Sequence, residues 1–264
     1  MPTTHIAIFT EIPHLQPKAE AIAQRLKLPY TDLANQADYD YLLILTADSL
    51  GLQKTGGKSL PLVIDFLSGK IAYRRQHTSL RRETLARAMG LKTNKKPKIL
   101  DATAGLARDS FILACLGFEV DMLERSPIIH LLIEDGIERA LQDTEVAEIV
   151  QRLHLIQGDA VSWMETLSTS HKRPDIIYLD PMFPERSKSA LTKKDMRIFH
   201  EVVGDDPDAD RLLITALTCA TQRVVVKRPR LAAHLAGLSP AFSLPGSSSR
   251  FDVYLIQAAH GTTT

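Results

Sequence analysis

The chain has 264 residues, of which 44% are hydrophobic and 24% are charged, and its formal net charge at pH 7 is +1. A chain of this length can bury a full hydrophobic core and is typical of a soluble globular protein with one domain or one and a half. The near-zero net charge argues against indiscriminate binding to nucleic acid.

Residues 1–97 are predicted to form a small α/β element. Apolar runs rich in β-branched and aromatic residues predict strands, and apolar residues at helical spacing predict helices. The predicted elements follow in chain order: a strand at HIAIFT, a short amphipathic helix at PKAEAIAQRLKLP, strands within DYDYLLILTADSLGLQ, a hairpin at PLVIDFLSGKIAYRR with Ser68 and Gly69 at its turn, and a helix at TSLRRETLARAMGLK with Thr78 or Ser79 as its N-cap.

Charge is spread unevenly over this element. Between Lys70 and Lys98 lie ten basic residues and one acid, Glu83, so this stretch carries a formal charge of +9 within a chain of +1. We call it the basic strip; its basic residues are Lys70, Arg74, Arg75, Arg81, Arg82, Arg87, Lys92, Lys95, Lys96 and Lys98. Such a run is usually a solvated helix face and a charged linker. The alternative is a surface that binds phosphate groups.

Residues 98–264 alternate predicted strands with predicted helices, which indicates a parallel sheet covered on both faces. The strands are predicted at KILDA, FEVDMLE, HLIQG, DIIYLD, RVVVKR and FDVYLIQ, and the helices at RDSFILACLG, SPIIHLLIEDGIERALQD, VSWMETLST and DADRLLITALTCATQ. In such sheets, ligands bind beyond the carboxyl ends of the strands, where the strand order reverses. The residues that follow each strand are therefore the candidate site.

The first of these strand ends is KILDATAGLARD. Small residues at Ala102, Ala104 and Gly105 allow a ligand to approach the backbone, and Asp101 can accept a hydrogen bond from an amine. A dinucleotide site would need more glycines, and the acids Asp101 and Asp109 would repel a pyrophosphate. The loop favours a cofactor with an ammonium group over NAD, although a simple tight turn is an equal alternative.

The next two strands also end in acids. Glu124 closes the second strand, where an acid is suited to bind the two ribose hydroxyls of a nucleoside. Asp159 follows the third strand, where it can either cap the next helix or accept a hydrogen bond from an adenine amino group. Glu124 alone could equally be a capping or surface acid. Together with Asp101, these acids fit a cationic nucleoside ligand such as S-adenosylmethionine.

The fourth strand ends in DPMFP, which is the most informative stretch. An exocyclic amine on a base is a poor nucleophile because its lone pair is delocalised into the ring. The carboxylate of Asp180 and a carbonyl fixed by Pro181 could accept its hydrogens and direct the lone pair toward a methyl group, while Phe183 stacks on the base. The structural alternative is a proline turn with Phe183 packed in the core.

These four stretches, KILDATAGLARD, EVDMLERS, LIQGDA and DIIYLDPMFPERSKSA, resemble the Rossmann-like (class I) S-adenosylmethionine-dependent methyltransferases. More narrowly, they are similar to the bacterial RsmJ family, which methylates N2 of a guanosine in 16S ribosomal RNA. The resemblance implies a mostly parallel seven-stranded sheet with helices on both faces. The motif departs from the wider family pattern at Met182, where a second proline is usual.

The resemblance also implies roles for named residues. Cofactor contacts are expected at Arg108, Asp109, Glu124, Arg125, Asp159, Ala160 and Asp180, in addition to Asp101 and Gly105. Arg108 is expected to pair with the cofactor carboxylate. The catalytic group is expected to be Asp180, Pro181 and Phe183. The partner would be 16S ribosomal RNA or the small ribosomal subunit, bound through Arg74, Arg75, Arg81, Arg82, Lys188, Lys227 and Arg228.

Metal binding and export are not expected. The nine histidines and two cysteines show no metal-ligand spacing, and Cys115 and Cys219 lie in apolar stretches typical of buried thiols. The apolar runs are too short to cross a bilayer, and the first residues lack the pattern of a signal peptide. We therefore predict a cytoplasmic location.

Three other functions are compatible with parts of the pattern. An amino methyltransferase acting on DNA adenine or on a protein glutamine would share DPMFP, and only the basic strip favours nucleic acid over protein. A non-catalytic RNA-binding assembly factor would have no need of acids at all four strand ends. An NAD-dependent oxidoreductase is disfavoured by the missing glycines.

Overall fold

A computed structural model of the chain describes residues 4–57, 59–68, 84–90, 96–167, 173–182, 194–204, 206–246 and 249–257. Within these residues, two β-sheets of three and seven strands are combined with helices. In the described part of the chain, no helix is long and apolar enough to cross a membrane.

The N-terminal part contains a three-stranded sheet and a helix, which confirm the strands and the first helix predicted there. The order of the sheet is β1-β2-β3, with β1 parallel to β2 and β2 antiparallel to β3. Pro17 lies in the first turn of the first helix, and Lys27, with a left-handed backbone, follows its last residue. The bounds are β1 Ile6–Phe9, α1 Gln16–Leu26, β2 Tyr41–Leu45 and β3 Leu50–Lys54, with short 3-10 turns at Pro13–Leu15 and Gln36–Asp38.

The basic strip lies mostly outside the described residues, as does the second half of the predicted hairpin, from Gly69 on. The first half of the hairpin, 61–68, is described and does not form the predicted strand; there Leu62 makes an isolated antiparallel bridge with Leu52. The predicted helix is present as α2, Thr84–Met89, whereas its predicted caps Thr78 and Ser79 are not described.

The seven-stranded sheet confirms the predicted fold class. Its order is β6-β5-β4-β7-β8-β10-β9, parallel from β6 to β8 and antiparallel at β10 and β9. Its strands are β4 Ile99–Asp101, β5 Val120–Glu124, β6 Leu153–Gln157, β7 Ile176–Leu179, β8 Arg223–Pro229, β9 Phe242–Pro245 and β10 Ser249–Leu255. Its helices are α3 Arg108–Cys115, α4 Pro127–Ala140, α5 Ala147–Val150, α6 Ala160–Leu167, α7 Lys194–Val203 and α8 Ala209–Cys219, with a 3-10 turn at Leu235–Gly237.

Successive side chains of the central strands point to opposite faces of this sheet and are buried on both, as a parallel sheet between helices requires. Ile99, Met122 and Tyr178 pack in the same core as α3, α4 and the three-stranded sheet, whereas Leu100 and Leu179 face α6 and α8. The six strands predicted from sequence are all present. The edge strand β9 was missed because its four residues are mostly exposed and show no alternation.

The two sheets share one hydrophobic core, in which Ile8 and Leu43 lie together with Ile129 and Ile133 of α4. The segment that follows β3 approaches α4 closely at Gly136, where a Cβ atom would lie 2.7 Å from the Ile64 carbonyl oxygen. Phe66 of the same segment contacts Phe111 of α3 with ring centroids 5.1 Å apart. The division of the chain near residue 97 into two domains stays a prediction.

We predict that Gly136→Ala destabilises the protein by about 1 to 3 kcal/mol, because the added methyl group would overlap the Ile64 backbone. The loss outweighs the gain of about 1 kcal/mol that alanine normally brings to a helix. Chemical denaturation measures the free energy of unfolding. Gly158→Ala is the control, since a Cβ atom there would meet nothing within 4 Å. A Gly136→Ala protein as stable as the wild type would contradict this packing.

Candidate active site

A pocket opens at the carboxyl ends of β4, β5, β6 and β7, where the strand order reverses between β4 and β7. The structure brings all nine predicted cofactor-binding residues to this one pocket: Asp101, Gly105, Arg108, Asp109, Glu124, Arg125, Asp159, Ala160 and Asp180. They come from four strand ends and two helix starts, so only the folded sheet assembles them. Their contacts with a cofactor stay a prediction.

The loop between β4 and α3 forms one wall of the pocket. Ala102 N donates to Tyr178 O and Ala104 N donates to Leu123 O, both at 3.0 Å, so the loop is bonded to strands on either side. Gly105 has a φ of +53° and Ala107 a φ of +55°. The left-handed backbone at Gly105 turns its N–H toward Glu124 Oε2 at 3.0 Å, which explains why a small residue is placed there.

The carboxylate of Asp101 connects this loop to the helix that follows it. Asp101 is 1% exposed, and its two carboxylate oxygens accept hydrogen bonds from the Ser110 hydroxyl at 2.5 Å and from Thr103 N at 3.1 Å. Burial raises the pKa of Asp101 to about 7, although both hydrogen bonds oppose the rise. Asp101 therefore has a structural role in the loop, whichever cofactor group it meets.

Glu124 links β5 to the same loop. It is 5% exposed, and besides Gly105 N it accepts a hydrogen bond from Ser126 N at 2.7 Å. Burial raises the pKa of Glu124 to about 7, against the two backbone hydrogen bonds. The carboxylate is held rigidly where a ribose is expected in sheets of this type.

Asp159 caps α6. Its Oδ1 accepts hydrogen bonds from Ser162 N at 2.8 Å and from the Ser162 hydroxyl at 2.7 Å. The pKa of Asp159 lies below its usual value. Burial alone would raise this pKa, but the hydrogen bonds from Ser162 and the nearby charges of Arg125 and Arg211 lower it. The capping alternative is therefore confirmed. The predicted contact with adenine stays open, because the same residue also lines the pocket.

Acidic residues before α8 form the opposite rim and were missed in the sequence. The guanidinium of Arg125 pairs with Asp206 and with Asp208, the latter at 3.2 Å. Asp206 also accepts a hydrogen bond from Met182 N at 2.6 Å and donates its own N–H to Met182 O at 3.2 Å. The acidic run DDPDAD before α8 was the available signal. Asp206 thus fixes the backbone directly after Asp180.

Asp180 lines the pocket and belongs to a cluster of four polar side chains. Its backbone N–H donates to the Thr103 hydroxyl at 2.7 Å. Lys227 Nζ lies 2.9 Å from Asp180 Oδ2 and 2.8 Å from Asp109 Oδ2, and the Tyr178 hydroxyl donates to Asp109 Oδ2 at 2.6 Å. Burial raises the pKa of Asp180, and Lys227 lowers it. Pro181 is buried beside them.

Of the residues predicted to contact RNA, the structure describes only Lys227 and Arg228. Lys227 lies inside the pocket with two carboxylates, not on an outer surface where a phosphate would be met. Arg228 is 7% exposed and donates to Ala233 O at 2.7 Å, so its buried position does not support a phosphate contact. Neighbouring residues of β8 point to opposite faces of the sheet, which separates these two side chains, and their contacts with RNA stay predictions. Phe183, Lys188, Arg74, Arg75, Arg81 and Arg82 lie outside the described residues.

Arg108 and Ala160 occupy the first positions of α3 and α6. Both line the pocket, and Arg108 is exposed to solvent.

Within the ranges that the structure describes, no group of three or more His, Cys, Asp or Glu side chains is placed to hold a metal ion.

We predict that Asp101→Asn gains stability relative to the wild type as the pH rises from about 4 to 7. Asp101 ionises at its ordinary pKa of 3.8 in the unfolded chain and at about 7 in the folded one. Between these values the folded state holds the proton more tightly, so this group's contribution to the free energy of unfolding falls with rising pH and is constant above 7. Asparagine removes that dependence.

Denaturation of both proteins between pH 4 and 8 measures the difference. Asp48→Asn, at an exposed position in the turn between β2 and β3, serves as the matched control. A constant difference between the Asp101→Asn protein and the wild type over this range would show that Asp101 ionises normally in the fold.

Comparison with known proteins agrees with this geometry. A family model described as "Putative SAM-dependent methyltransferase" matches residues 22–256. A protein of Thioalkalivibrio sulfidiphilus named ribosomal RNA small subunit methyltransferase J is 46% identical over 256 residues, covering 97% of this chain and 99% of the relative. A protein of the same name from Nitrosococcus oceani is 48% identical over 238 residues, covering 90% and 93%.

A solved structure extends the comparison to three dimensions. The SAM-dependent methyltransferase of Neisseria gonorrhoeae is 36% identical to this chain, covers 99% of both chains and superposes with a TM-score of 0.70. The family match, the relatives of nearly full length and the pocket at the reversal of strand order all agree. The chain belongs to the family of S-adenosylmethionine-dependent methyltransferases.

Proposed function

We propose that this chain transfers a methyl group from S-adenosylmethionine to the exocyclic N2 of a guanosine in small-subunit (16S) ribosomal RNA. The observation that carries the proposal is the carboxylate of Asp180, which lines the pocket, pairs with Lys227 and stands directly before Pro181. The relatives at 46% and 48% identity, both named as small-subunit ribosomal RNA methyltransferases, support the choice of RNA.

The pocket residues fit S-adenosylmethionine, which carries cationic groups and no phosphate. Among the described residues that line the pocket, seven are acids and three are bases. The acids are Asp101, Asp109, Glu124, Asp159, Asp180, Asp206 and Asp208, and the bases are Arg108, Arg125 and Lys227. A pocket with this excess of acids favours a cation and disfavours the pyrophosphate of NAD.

Individual residues suit the separate parts of the cofactor. Glu124 would hold the ribose hydroxyls, Asp159 with Ala160 would lie beside the adenine, and Arg108 would pair with the carboxylate, as predicted from the sequence. Asp101 or Asp109 would face the ammonium group. When bound, the cofactor supplies an electrophilic methyl group on a sulfonium centre.

The protein's part in the reaction is to position the amine. Asp180 would accept a hydrogen bond from the N2 amino group, which aligns the nitrogen lone pair and provides an acceptor for the released proton. The backbone of residues 180–182 is restrained on both sides, by the Thr103 hydroxyl at Asp180 N and by Asp206 at Met182. This restraint keeps the carbonyl oxygens at Asp180 and Pro181 in place as further acceptors.

Binding of RNA would complete the site. Phe183 stays the predicted stacking residue, and the basic strip with Lys188 stays the predicted phosphate-binding surface. A target guanine inside a helix would have to leave its stack, which costs a few kcal/mol and favours a loop or an irregular helix. A ribosomal substrate places the protein in the cytoplasm.

Other acceptors are less well supported. A DNA adenine or a protein glutamine would also present an amino group to Asp180, but the relatives' names refer to ribosomal RNA. A non-catalytic assembly factor would not need a carboxylate that pairs with Lys227 on a backbone N–H bonded to Thr103.

We predict that Asp180→Asn slows methyl transfer by about 100-fold or more, because the amide cannot accept the proton and offers a weaker acceptor. The assay uses labelled S-adenosylmethionine with naked 16S RNA and with small subunits, both from cells lacking the gene, followed by nucleoside analysis. Wild-type protein should place label in N2-methylguanosine.

The exposed Asp48→Asn protein is the control and should retain full activity. Calorimetry tests whether each protein binds the cofactor, which separates a loss of chemistry from a loss of binding. Cofactor binding without transfer to either substrate by the wild type would reject the ribosomal assignment. Equal rates for Asp180→Asn and the wild type would reject the role of Asp180.

A further inference from the structure

Lys227 occupies a position that the proposed reaction does not by itself explain. It follows Val226 on β8, and Val226 pairs with Leu179 on β7, so Lys227 lies beside Asp180 at the same sheet edge. Its side chain points to the face that carries Tyr178 and Val225, since residues two apart on a strand share a face. Lys227 lines the pocket, and its side chain is 29% exposed.

The ammonium of Lys227 lies between two carboxylates. It is within 3 Å of an oxygen of both Asp109 and Asp180, at 2.8 and 2.9 Å. The hydroxyl of Tyr178 donates to the same oxygen of Asp109, which holds that carboxylate against α3. With Asp109 fixed in this way, the ammonium has one remaining carboxylate to orient, and that is Asp180.

The surroundings of Asp180 act on its pKa in opposite directions. Charged and titratable groups face it from five elements: Asp101 from β4, Asp109 from α3, Tyr178 from β7, Asp206 from the segment before α8, and Lys227 from β8. Burial and the nearby carboxylates raise the pKa of Asp180, whereas Lys227 lowers it. Burial alone would lower the pKa of Lys227, but Asp180 and Asp109 raise it, so the lysine stays charged.

We propose that Lys227 is a positioning residue that keeps Asp180 ionised and directs its carboxylate toward the acceptor amine. An ionised carboxylate only accepts hydrogen bonds, whereas a protonated one also donates and would compete with the amine's own hydrogens. The link to methyl transfer rests on the proposed function. The charge relation between Lys227 and Asp180 is a property of the pocket and can be measured without RNA.

The first test measures the ionisation of Asp180 directly. Protein with 13C-labelled aspartate is titrated by NMR, and the Asp180 signal is assigned by its loss in Asp180→Asn. In Lys227→Met, which keeps the side-chain length and removes the charge, we expect the pKa of Asp180 to be higher by about 1 to 3. Lys227→Arg should restore most of the difference, and Lys18→Met, on the exposed face of α1, should leave the pKa unchanged.

The second test uses the pH dependence of methyl transfer. With Lys227→Met, the rate should fall most at low pH and recover as the pH rises, since the acid limb follows the ionisation of Asp180. Thermal denaturation checks that each variant is folded, and Lys227→Gln replaces Lys227→Met if that protein does not fold.

The outcomes separate the two proposals. An unchanged pKa of Asp180 in Lys227→Met, or a loss of rate that is equal at every pH, would overturn the role of Lys227. If the wild type transfers no methyl group to RNA, the proposed function fails, while the NMR titration still decides whether Lys227 controls Asp180.

Discussion

The reversal of strand order between β4 and β7 is the constraint on which the site depends. Because the chain runs outward from β4 to β6 and then returns to β7 on the other side, the loops after these strands diverge and leave a crevice. Each of the four strands ends in an acid or within two residues of one, and all four acids line the crevice: Asp101, Glu124, Asp159 and Asp180. Residues 79 positions apart in sequence, such as Asp101 and Asp180, thereby reach one pocket.

A pocket with so many acids must limit their mutual repulsion. The fold does this in three ways: Asp101 and Glu124 have their pKa raised to about 7, Asp159 receives hydrogen bonds from Ser162, and Asp109 and Asp180 share the ammonium of Lys227. The same arrangement supplies an acidic site that suits a cationic cofactor. In the proposed reaction it would also supply the acceptor for the amine, so that binding and chemistry would use one distribution of charge.

Much of this could be predicted from the sequence, because strand and helix periods and acids at strand ends are local signals. The six strands of the C-terminal part and the acids Asp101, Glu124, Asp159 and Asp180 came from such signals, whereas cofactor contacts at Arg108, Asp109, Arg125 and Ala160 were implied by the resemblance to the methyltransferase family. The pocket position of Lys227 and the buried position of Arg228 could not be predicted, because the face of a strand residue depends on register with its neighbour, which periodicity does not supply. Asp206 was missed because its contact with Met182 joins two segments that are distant in sequence. The edge strand β9, mostly exposed, has no apolar pattern to detect.

The most direct measurement of the central claim maps modified nucleosides in small-subunit ribosomal RNA from cells that lack the gene. The account predicts that one mapped N2-methylguanosine is absent from these cells, and that it returns when the wild-type gene is restored but not when the Asp180→Asn gene is restored. An unchanged map in cells that lack the gene would contradict the account.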